Sequence, residues 1–277
     1  MESLVVALST GCFYKESFFD VLEEVKHAGF SSVEVCSFPR HLDFHDMDEI
    51  GRARRIMDSL GLDALSFHAP FAGEIDITSP DPQKRKNSSE EIFRAAEAAA
   101  TLRARNLVIH PGPEKTEAPP AGEFLERMRN SASFIQELSD KCAEAGMDLL
   151  LENMLPNLLF GHVRDLMWIL ASVKAKNIGI CLDTGHANLG GSLEHVTGKI
   201  KGHLRMLHVN DNRGERDEHL PPGEGTVNWE KLAQELKENR FSGGMVLELS
   251  GETGESRRQT LEKAEEARKF LRNLFRE

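Results

Sequence analysis

The sequence of 277 residues lacks several features that would assign it to a particular class of protein. None of its apolar runs approaches the ~20 residues that a membrane span needs. Its first residues carry no basic segment ahead of an apolar stretch, so they do not predict a secretory signal peptide. No Gly-x-Gly-x-x-Gly pattern follows the first predicted strand. We therefore expect a cytoplasmic protein without membrane association or a nucleotide cofactor.

Cysteine is sparse, and no two cysteines are spaced as in a Cys-x-x-Cys motif. The four residues are Cys12, Cys36, Cys142 and Cys181. They lie mostly in apolar segments, which favours buried thiols over disulfides or a thiolate metal site. This pattern suits a reducing compartment.

Positive charge is also in deficit, with 34 lysines and arginines against 45 acidic residues and a net charge of -11. This balance argues against non-specific binding to nucleic acid or to a membrane surface, both of which favour a basic face. No segment rich in proline, glycine or serine divides the chain. We predict a single domain over residues 1–277, which is long enough to bury one large core.

The sequence does contain an eightfold alternation of short apolar runs and amphipathic segments. Strands are predicted at 4–8, 32–37, 63–68, 106–110, 148–152, 178–183, 204–209 and 244–249. Helices are predicted at 16–28, 47–60, 88–103, 122–145, 162–173, 192–201, 229–239 and 256–274. The third of these is placed by the pattern Ser88-Ser-Glu-Glu91, which resembles a capping box. Eight strand–helix pairs in this length predict an α/β fold, a closed (β/α)₈ barrel rather than a doubly wound sheet.

Six consecutive predicted strands end in a residue of a type that binds metal ions. These residues are His68, His110, Glu152, Asp183, His208 and Glu248. The carboxyl ends of barrel strands meet at the mouth, where active sites lie. Taken alone, His68 or His110 is more simply a structural histidine, but several buried carboxylates at one mouth need cations between them. We therefore predict a divalent metal site in preference to a network of ion pairs.

Strand alternation and two loops add further candidates. Residues two positions before the strand ends should fill the barrel below the mouth, and these are Ser66, Val108, Leu150, Cys181, Met206 and Val246. By the same alternation Glu34 should face inward, where it could reach the mouth. The patterns Asp183-x-x-His186 and Asp217-x-His219 pair an acid with an imidazole, although ordinary polar loops can look the same. Arg213 and Arg216 are candidates for holding a substrate hydroxyl or phosphate.

Together these segments resemble a known family, the xylose isomerase-like barrels. That family includes sugar and sugar-phosphate isomerases and epimerases and also the endonuclease IV nucleases. The resemblance runs from Leu4 to about Phe275. Its most specific segments are Phe67-His-Ala-Pro70, Ile109-His-Pro-Gly112, Leu182-Asp-Thr-Gly-His186, His208-Val-Asn-Asp211 and Asp217-Glu-His-Leu-Pro-Pro-Gly-Glu-Gly225.

The resemblance implies two alternative metal contents. In the isomerase and epimerase branch one divalent ion is held at positions that correspond here to Glu152, Asp183, His208 and Glu248. In the nuclease branch three zinc ions are held at those positions and at others that correspond to His68, His110, His186, Asp217 and His219. All nine positions carry suitable residues in this sequence. Oxygen and imidazole ligands of this kind suit manganese, zinc, cobalt or magnesium.

The first hypothesis from this resemblance is isomerisation or epimerisation of a small polyol, sugar or sugar phosphate. The metal would act as a Lewis acid on an enediolate, and Glu152 and Glu248 would transfer the protons. Residues that would contact the substrate are His68, His110, His186, Arg213, Arg216 and Glu34. The acidic balance and the compact, apolar loops favour this branch.

The alternatives are a tri-zinc nuclease that cleaves DNA at abasic sites and a barrel that binds a ligand without turnover. Only the nuclease alternative requires nucleic acid as a partner. A homo-oligomer is expected only by analogy with the family.

Overall fold

A computed structural model describes residues 4–115, 119–120, 122–251 and 254–275. Eight strands, β1 to β8, pair in parallel with both neighbours in sequence order and close into a barrel. They are β1 Val6–Ser9, β2 Ser32–Cys36, β3 Asp63–His68, β4 Asn106–Ile109, β5 Asp148–Glu152, β6 Ile178–Asp183, β7 Leu204–Val209 and β8 Gly244–Leu247. The predicted (β/α)₈ architecture is therefore confirmed.

Helices follow each strand and pack around the barrel. They are α1 Phe18–His27, α2 Met47–Leu60, α3 Pro82–Thr101, α4 Glu123–Glu144, α5 Val163–Ser172, α6 Thr184–Leu189, α7 Leu193–Ile200, α8 Trp229–Glu238 and α9 Arg257–Leu274. A short 3₁₀ helix, Thr10–Phe13, follows β1. Within the described ranges, no helix combines the length and apolar composition that crossing a membrane requires.

Two helices differ from the prediction. The start predicted for α3 at Ser88 is wrong, because Asp81 caps the helix by accepting hydrogen bonds from the backbone of Gln83 and Lys84. Pro82 suits the first turn, where a missing N–H costs nothing. Ser88 instead lies inside the helix and donates a hydrogen bond to the Lys84 carbonyl. The short helix α6 was not predicted, and it begins directly at the end of β6.

The barrel interior is closed by a small apolar layer below the mouth. Its buried members are Ala7, Leu65, Val108, Leu150, Cys181, Met206 and Val246. Five of these were predicted from strand alternation, and Ser66, the sixth predicted residue, is also buried. All four cysteines are buried free thiols, as predicted. The layer gives the polar mouth an apolar floor, and a floor of low polarity strengthens electrostatic interactions above it.

The close contact between β7 and the residue before β8 leaves no room for a side chain, and this can be tested by substitution. A Cβ atom added at Gly243, which immediately precedes β8, would lie 1.9 Å from the Arg205 carbonyl oxygen. Because backbone must shift to relieve that clash, we expect Gly243→Ala to lower the free energy of unfolding by roughly 1–3 kcal/mol. Urea denaturation measures the change.

Gly198→Ala is the matched control. Gly198 lies inside α7, and an added Cβ would meet no atom within 4 Å. Alanine there should raise the free energy of unfolding by about 0.5–1 kcal/mol, because glycine is the weaker helix former. Equal effects of the two substitutions would contradict the packing described here.

Candidate metal centre

The predicted ligand residues converge at the mouth of the barrel in three adjoining sets. We call Glu152, Asp183, His208 and Glu248 the central group, and their candidate ligand atoms lie within 4.8 Å of one another. His186, Asp217 and His219 form a second set by the same measure, which we call the loop group. His68 and His110, which we call the histidine pair, lie on the other side of Glu152. The structure therefore brings together all nine residues.

Strand register places the central group. Asp183 and His208 are register partners at the ends of β6 and β7, and Glu152 ends the adjacent β5. Glu248 follows β8 and is held by a hydrogen bond from its backbone N–H to the Val209 carbonyl, 3.2 Å away. Three of the four side chains are at most 2% exposed, whereas that of Glu248 is 13% exposed. Glu248 is thus the member that is most open to the mouth.

Glu152 is shared between two sets through its two carboxylate oxygens. Its Oε1 atom lies 3.1 Å from His208 Nδ1 in the central group. Its Oε2 atom lies 3.0 Å from His68 Nε2 and 3.3 Å from His110 Nε2. A carboxylate placed in this way is able to bridge two cations.

The loop group is assembled from a helix and a long loop. His186 lies in α6, whose first turn is capped by Asp183 through a 2.6 Å hydrogen bond from the His186 N–H. Asp217 Oδ2 lies 3.5 Å from His186 Nε2 and 3.0 Å from His219 Nε2. His219 also has a positive φ of 48°, an uncommon conformation for a residue other than glycine.

Backbone carbonyls determine the tautomer of three of these histidines. The Nδ1 atoms of His68, His186 and His219 lie 2.9, 2.8 and 3.2 Å from the carbonyl oxygens of Ala69, Asn153 and Glu248. Because a carbonyl only accepts, each Nδ1 must carry the proton. Each Nε2 then faces a carboxylate, either Glu152 or Asp217.

His208 has a carboxylate in place of the backbone carbonyl. Its Nε2 atom carries the proton and donates a hydrogen bond to Oε2 of Glu34, 3.0 Å away. Its Nδ1 atom lies 3.3 Å from Oε2 of Glu248 and is buried without a hydrogen-bond partner among the described residues. An orphaned nitrogen between two carboxylates is where a divalent cation would bind, and oxygen and imidazole donors suit such an ion. The residues present therefore fit a divalent metal.

Charge at the mouth shifts the protonation of these groups. Burial disfavours the charged ring of His68, but the hydrogen bond and charge of Glu152 outweigh it and raise the pKa of His68 to about 9. Burial likewise opposes the charge on His219, and Asp217 raises the pKa of His219 to about 9. Burial, together with the charge of Glu152 and despite that of His208, raises the pKa of Glu248 to about 8.

These shifts predict that metal binding releases protons. Below about pH 8 the central-group carboxylate Glu248 is protonated in the metal-free protein. Burial opposes charge on the ring of His208, but nearby negative charge holds the pKa of His208 well above its usual value. A metal ion needs a bare carboxylate and a bare ring nitrogen, so its apparent affinity should rise as the pH increases from 6 to 9. Calorimetric titration in two buffers with different ionisation enthalpies measures the protons released. Affinity that is independent of pH over this range would contradict the prediction.

Several polar residues that support the ligands were not singled out from the sequence. Asn153 exchanges two hydrogen bonds with the backbone of Asp183, and Asn210 donates to Asp183 Oδ2 at 2.7 Å. Asp211 is fully buried and accepts hydrogen bonds from the backbone N–H groups of Asn212, Gly223 and Val227 and from the indole of Trp229. The available signal was their position, because Asn153 and Asn210 follow directly after strand ends and Asp211 is the next residue after Asn210.

Asp211 anchors the segment that carries Asp217 and His219. Besides its side-chain contacts, it pairs through its backbone with Leu220 in both directions at 2.8 Å. Each carboxylate oxygen of Asp211 accepts from two N–H donors. In asparagine one of these oxygens is replaced by an NH₂ group, which cannot accept, so two N–H donors lose their acceptor. We expect Asp211→Asn to lower the free energy of unfolding by about 1–3 kcal/mol and to weaken metal binding at the loop group. Urea denaturation and elemental analysis measure the two effects.

Asp217→Asn is the control for this prediction. It removes a candidate ligand without touching the hydrogen bonds of Asp211, so it should reduce metal content. Any stability it loses comes from the ion pairs of Asp217 with His186 and His219, and that loss should disappear as the pH rises and these rings lose their charge, whereas the loss in Asp211→Asn should persist. Equal stability of the Asp211→Asn variant and the parent protein would show that the anchor is unimportant.

The remaining predicted substrate contacts lie in different settings. Arg213 and Arg216 are 59% and 81% exposed, and both pair with Glu218, at 2.6 and 3.5 Å. Glu34 faces inward, but its side chain is fully buried beneath His208 and exposes no surface to a substrate. Phe71 was not singled out from the sequence, yet its ring lies 4.9 Å from the rings of both His68 and His110. Direct contact of the arginines with substrate stays a prediction.

A closed eight-stranded barrel with carboxylates and imidazoles clustered at its mouth places the protein among the TIM barrels with a candidate metal site at the strand ends. The family model described as xylose isomerase-like TIM barrel matches residues 22–274, and the chain belongs to that family. The fold and the family expected from the sequence motifs are thus confirmed.

Relatives in this family differ in their assigned activities. The protein MJ1311 of Methanocaldococcus jannaschii is 29% identical over 87% of this chain and 82% of its own length. A probable endonuclease 4 of Nitratidesulfovibrio vulgaris is 30% identical over 76% of this chain and 77% of its own. The D-psicose 3-epimerase of Ruminiclostridium cellulolyticum is 24% identical over 82% of this chain and 76% of its own.

Among solved structures, a D-tagatose 3-epimerase-like protein is similar to this chain in fold. It has a TM-score of 0.83 at 24% sequence identity, over 98% of this chain and 97% of the other. The family thus contains sugar epimerases and endonuclease IV-like enzymes.

Proposed function

We propose that this protein is a divalent-metal-dependent isomerase or epimerase of a small sugar or polyol. The observation that carries the proposal is the central group, in which Glu152 and Glu248 approach His208 Nδ1 at 3.1 and 3.3 Å. Isomerisation and epimerisation move a proton at the carbon beside a carbonyl. Two carboxylates on either side of one cation position suit this chemistry, because one can remove the proton and the other can return it. A divalent ion held by this group would polarise that carbonyl and stabilise the enediolate.

Glu248 is the stronger candidate for a proton-transfer group. Its side chain is the most exposed of the central group, so it is the carboxylate that a substrate in the mouth reaches most directly. Glu152 can serve as its partner through Oε2, provided that this oxygen is left free by the histidine pair. In that arrangement His68 and His110 would donate hydrogen bonds to substrate hydroxyls.

Charge and shape at the mouth support a small substrate. Arg213 and Arg216 share Glu218 as an ion-pair partner, which reduces the positive charge that this loop offers to a nucleic-acid backbone. The Phe71 ring lies 4.9 Å from both rings of the histidine pair, in a T-shaped arrangement with His68 and tilted against His110, and Phe38 packs near it at a ring distance of 6.2 Å. An aromatic surface beside polar groups suits the C–H face of a sugar.

A second candidate is phosphodiester hydrolysis with several metal ions. It is favoured by the loop group and by Glu152, whose two oxygens face separate sets of imidazoles. Adjacent cations can activate water and neutralise a leaving oxygen. The endonuclease 4 relative is consistent with this chemistry. Metal content separates the candidates, because epimerisation needs only the central group.

We expect Glu248→Gln to abolish exchange of the substrate's carbon-bound proton with solvent while the fold is retained. Loss of a positioned acid–base group should lower kcat by about 10²–10⁴-fold. Incubation of a panel of ketoses and aldoses in D₂O, followed by NMR, detects the exchange. Glu224→Gln, which alters an exposed glutamate in the loop after β7, is the matched control.

The same preparations decide between the two candidates. Elemental analysis of protein purified without added metal should find one tightly bound ion, which the Glu152→Gln variant loses. Several zinc ions per chain, no exchange with any sugar, and incision of an abasic-site duplex would overturn the proposal in favour of hydrolysis.

A further inference from the structure

Glu34 is a buried carboxylate that lies below the metal-binding residues rather than among them. In the barrel its register partners are Ser9 on β1 and Ser66 on β3. Both serine hydroxyls donate to its carboxylate, at 3.2 Å to Oε1 and 2.8 Å to Oε2. The side chain is fully buried, so its remaining hydrogen-bonding capacity is directed inside the barrel.

Glu34, on β2, also accepts a hydrogen bond from His208, which lies on β7 across the barrel interior. His208 Nε2 lies 3.0 Å from Glu34 Oε2, and both side chains are fully buried. With the proton on Nε2, the lone pair of Nδ1 points toward Glu152 and Glu248. Glu34 therefore determines both the tautomer and the orientation of the His208 ring.

The partner of the protonated ring nitrogen in His208 differs from the partners in three other histidines at the mouth. His68, His186 and His219 donate their Nδ1 protons to neutral backbone carbonyls. A hydrogen bond from an imidazole N–H to a carboxylate is stronger than one to a neutral carbonyl. It draws the proton further from its ring nitrogen, and this makes the other ring nitrogen a better metal ligand. The central group is thus the set in which an anionic partner strengthens the imidazole.

We propose that Glu34 is a positioning residue that acts through His208 and makes the central group bind its divalent ion more tightly than the loop group does. The inference rests on the metal site of the proposed function and not on the identity of the substrate. It assigns Glu34 a role that requires no contact with substrate.

Chelator competition with Co²⁺ in the absence of substrate tests this role. Glu34→Gln keeps the shape of the side chain and an oxygen that can accept from His208, but it removes the charge. We expect it to weaken the tightest Co²⁺ site by about 10–100-fold while binding at the loop group is unchanged. Glu34→Asp, which retains the charge on a shorter side chain, should restore part of the loss.

Ser66→Ala is the matched control, because it removes one donor to Glu34 and leaves the contact with His208 in place. Its effect on Co²⁺ affinity should be small. Unchanged affinity in Glu34→Gln, or an equal loss in Ser66→Ala, would overturn the proposal. Circular dichroism of each variant separates loss of metal from loss of fold.

A measurement on the unmodified protein keeps the inference testable if Glu34→Gln does not fold. In the zinc-loaded protein, ¹⁵N NMR of the imidazole rings should show a proton on His208 Nε2 and none on Nδ1. A proton on Nδ1 instead would overturn the assignment. Neither experiment depends on sugar turnover, so failure of the sugar panel and failure of this inference are distinguishable.

Discussion

The His208 imidazole lies at the centre of a set of carboxylates that cannot stably share the barrel mouth without positive charge. Glu34 lies against one ring nitrogen, and Glu152 and Glu248 lie against the other. Asp183 completes the group within 4.8 Å. Anions at this depth are costly unless they are paired, and one ring carries at most one positive charge. The rings of His68 and His219, whose pKa values are raised, supply part of the positive charge in the metal-free protein, and the proposed divalent ion would supply the rest.

The barrel supplies the rigidity that this arrangement needs. Adjacent parallel strands hold Asp183 and His208 in register, and the apolar layer beneath them forms the floor of the mouth. The long loop after β7 is less constrained by the strands. Its candidate ligands, Asp217 and His219, are positioned through Asp211, whose buried carboxylate accepts hydrogen bonds from four N–H donors. Strand register thus holds the central group, and the buried Asp211 holds the loop group.

Glu152 links the number of metal ions to the chemistry that is possible. One of its oxygens belongs to the central group, and the other faces His68 and His110. If the second oxygen is free, it can carry a proton beside a sugar substrate. If a second cation occupies the histidine pair, the same carboxylate becomes a bridge and is no longer a base. Under the proposed function, this side chain would therefore decide between proton transfer and the bridging of two cations.

Much of this site followed from local sequence patterns. Apolar runs that end in His68, Glu152, Asp183 or His208 indicated both the strands and their tips, because strand direction and side-chain alternation are local properties. The capping of α3 by Asp81 and the presence of α6 were missed, since short-range signals of similar strength compete at helix starts. The tautomers of the histidines, the sharing of Glu152 and the burial of Glu34 were decided only by the closed barrel. They depend on which residues of distant strands face each other across its axis, as Glu34 and His208 do at a separation of 174 positions in sequence.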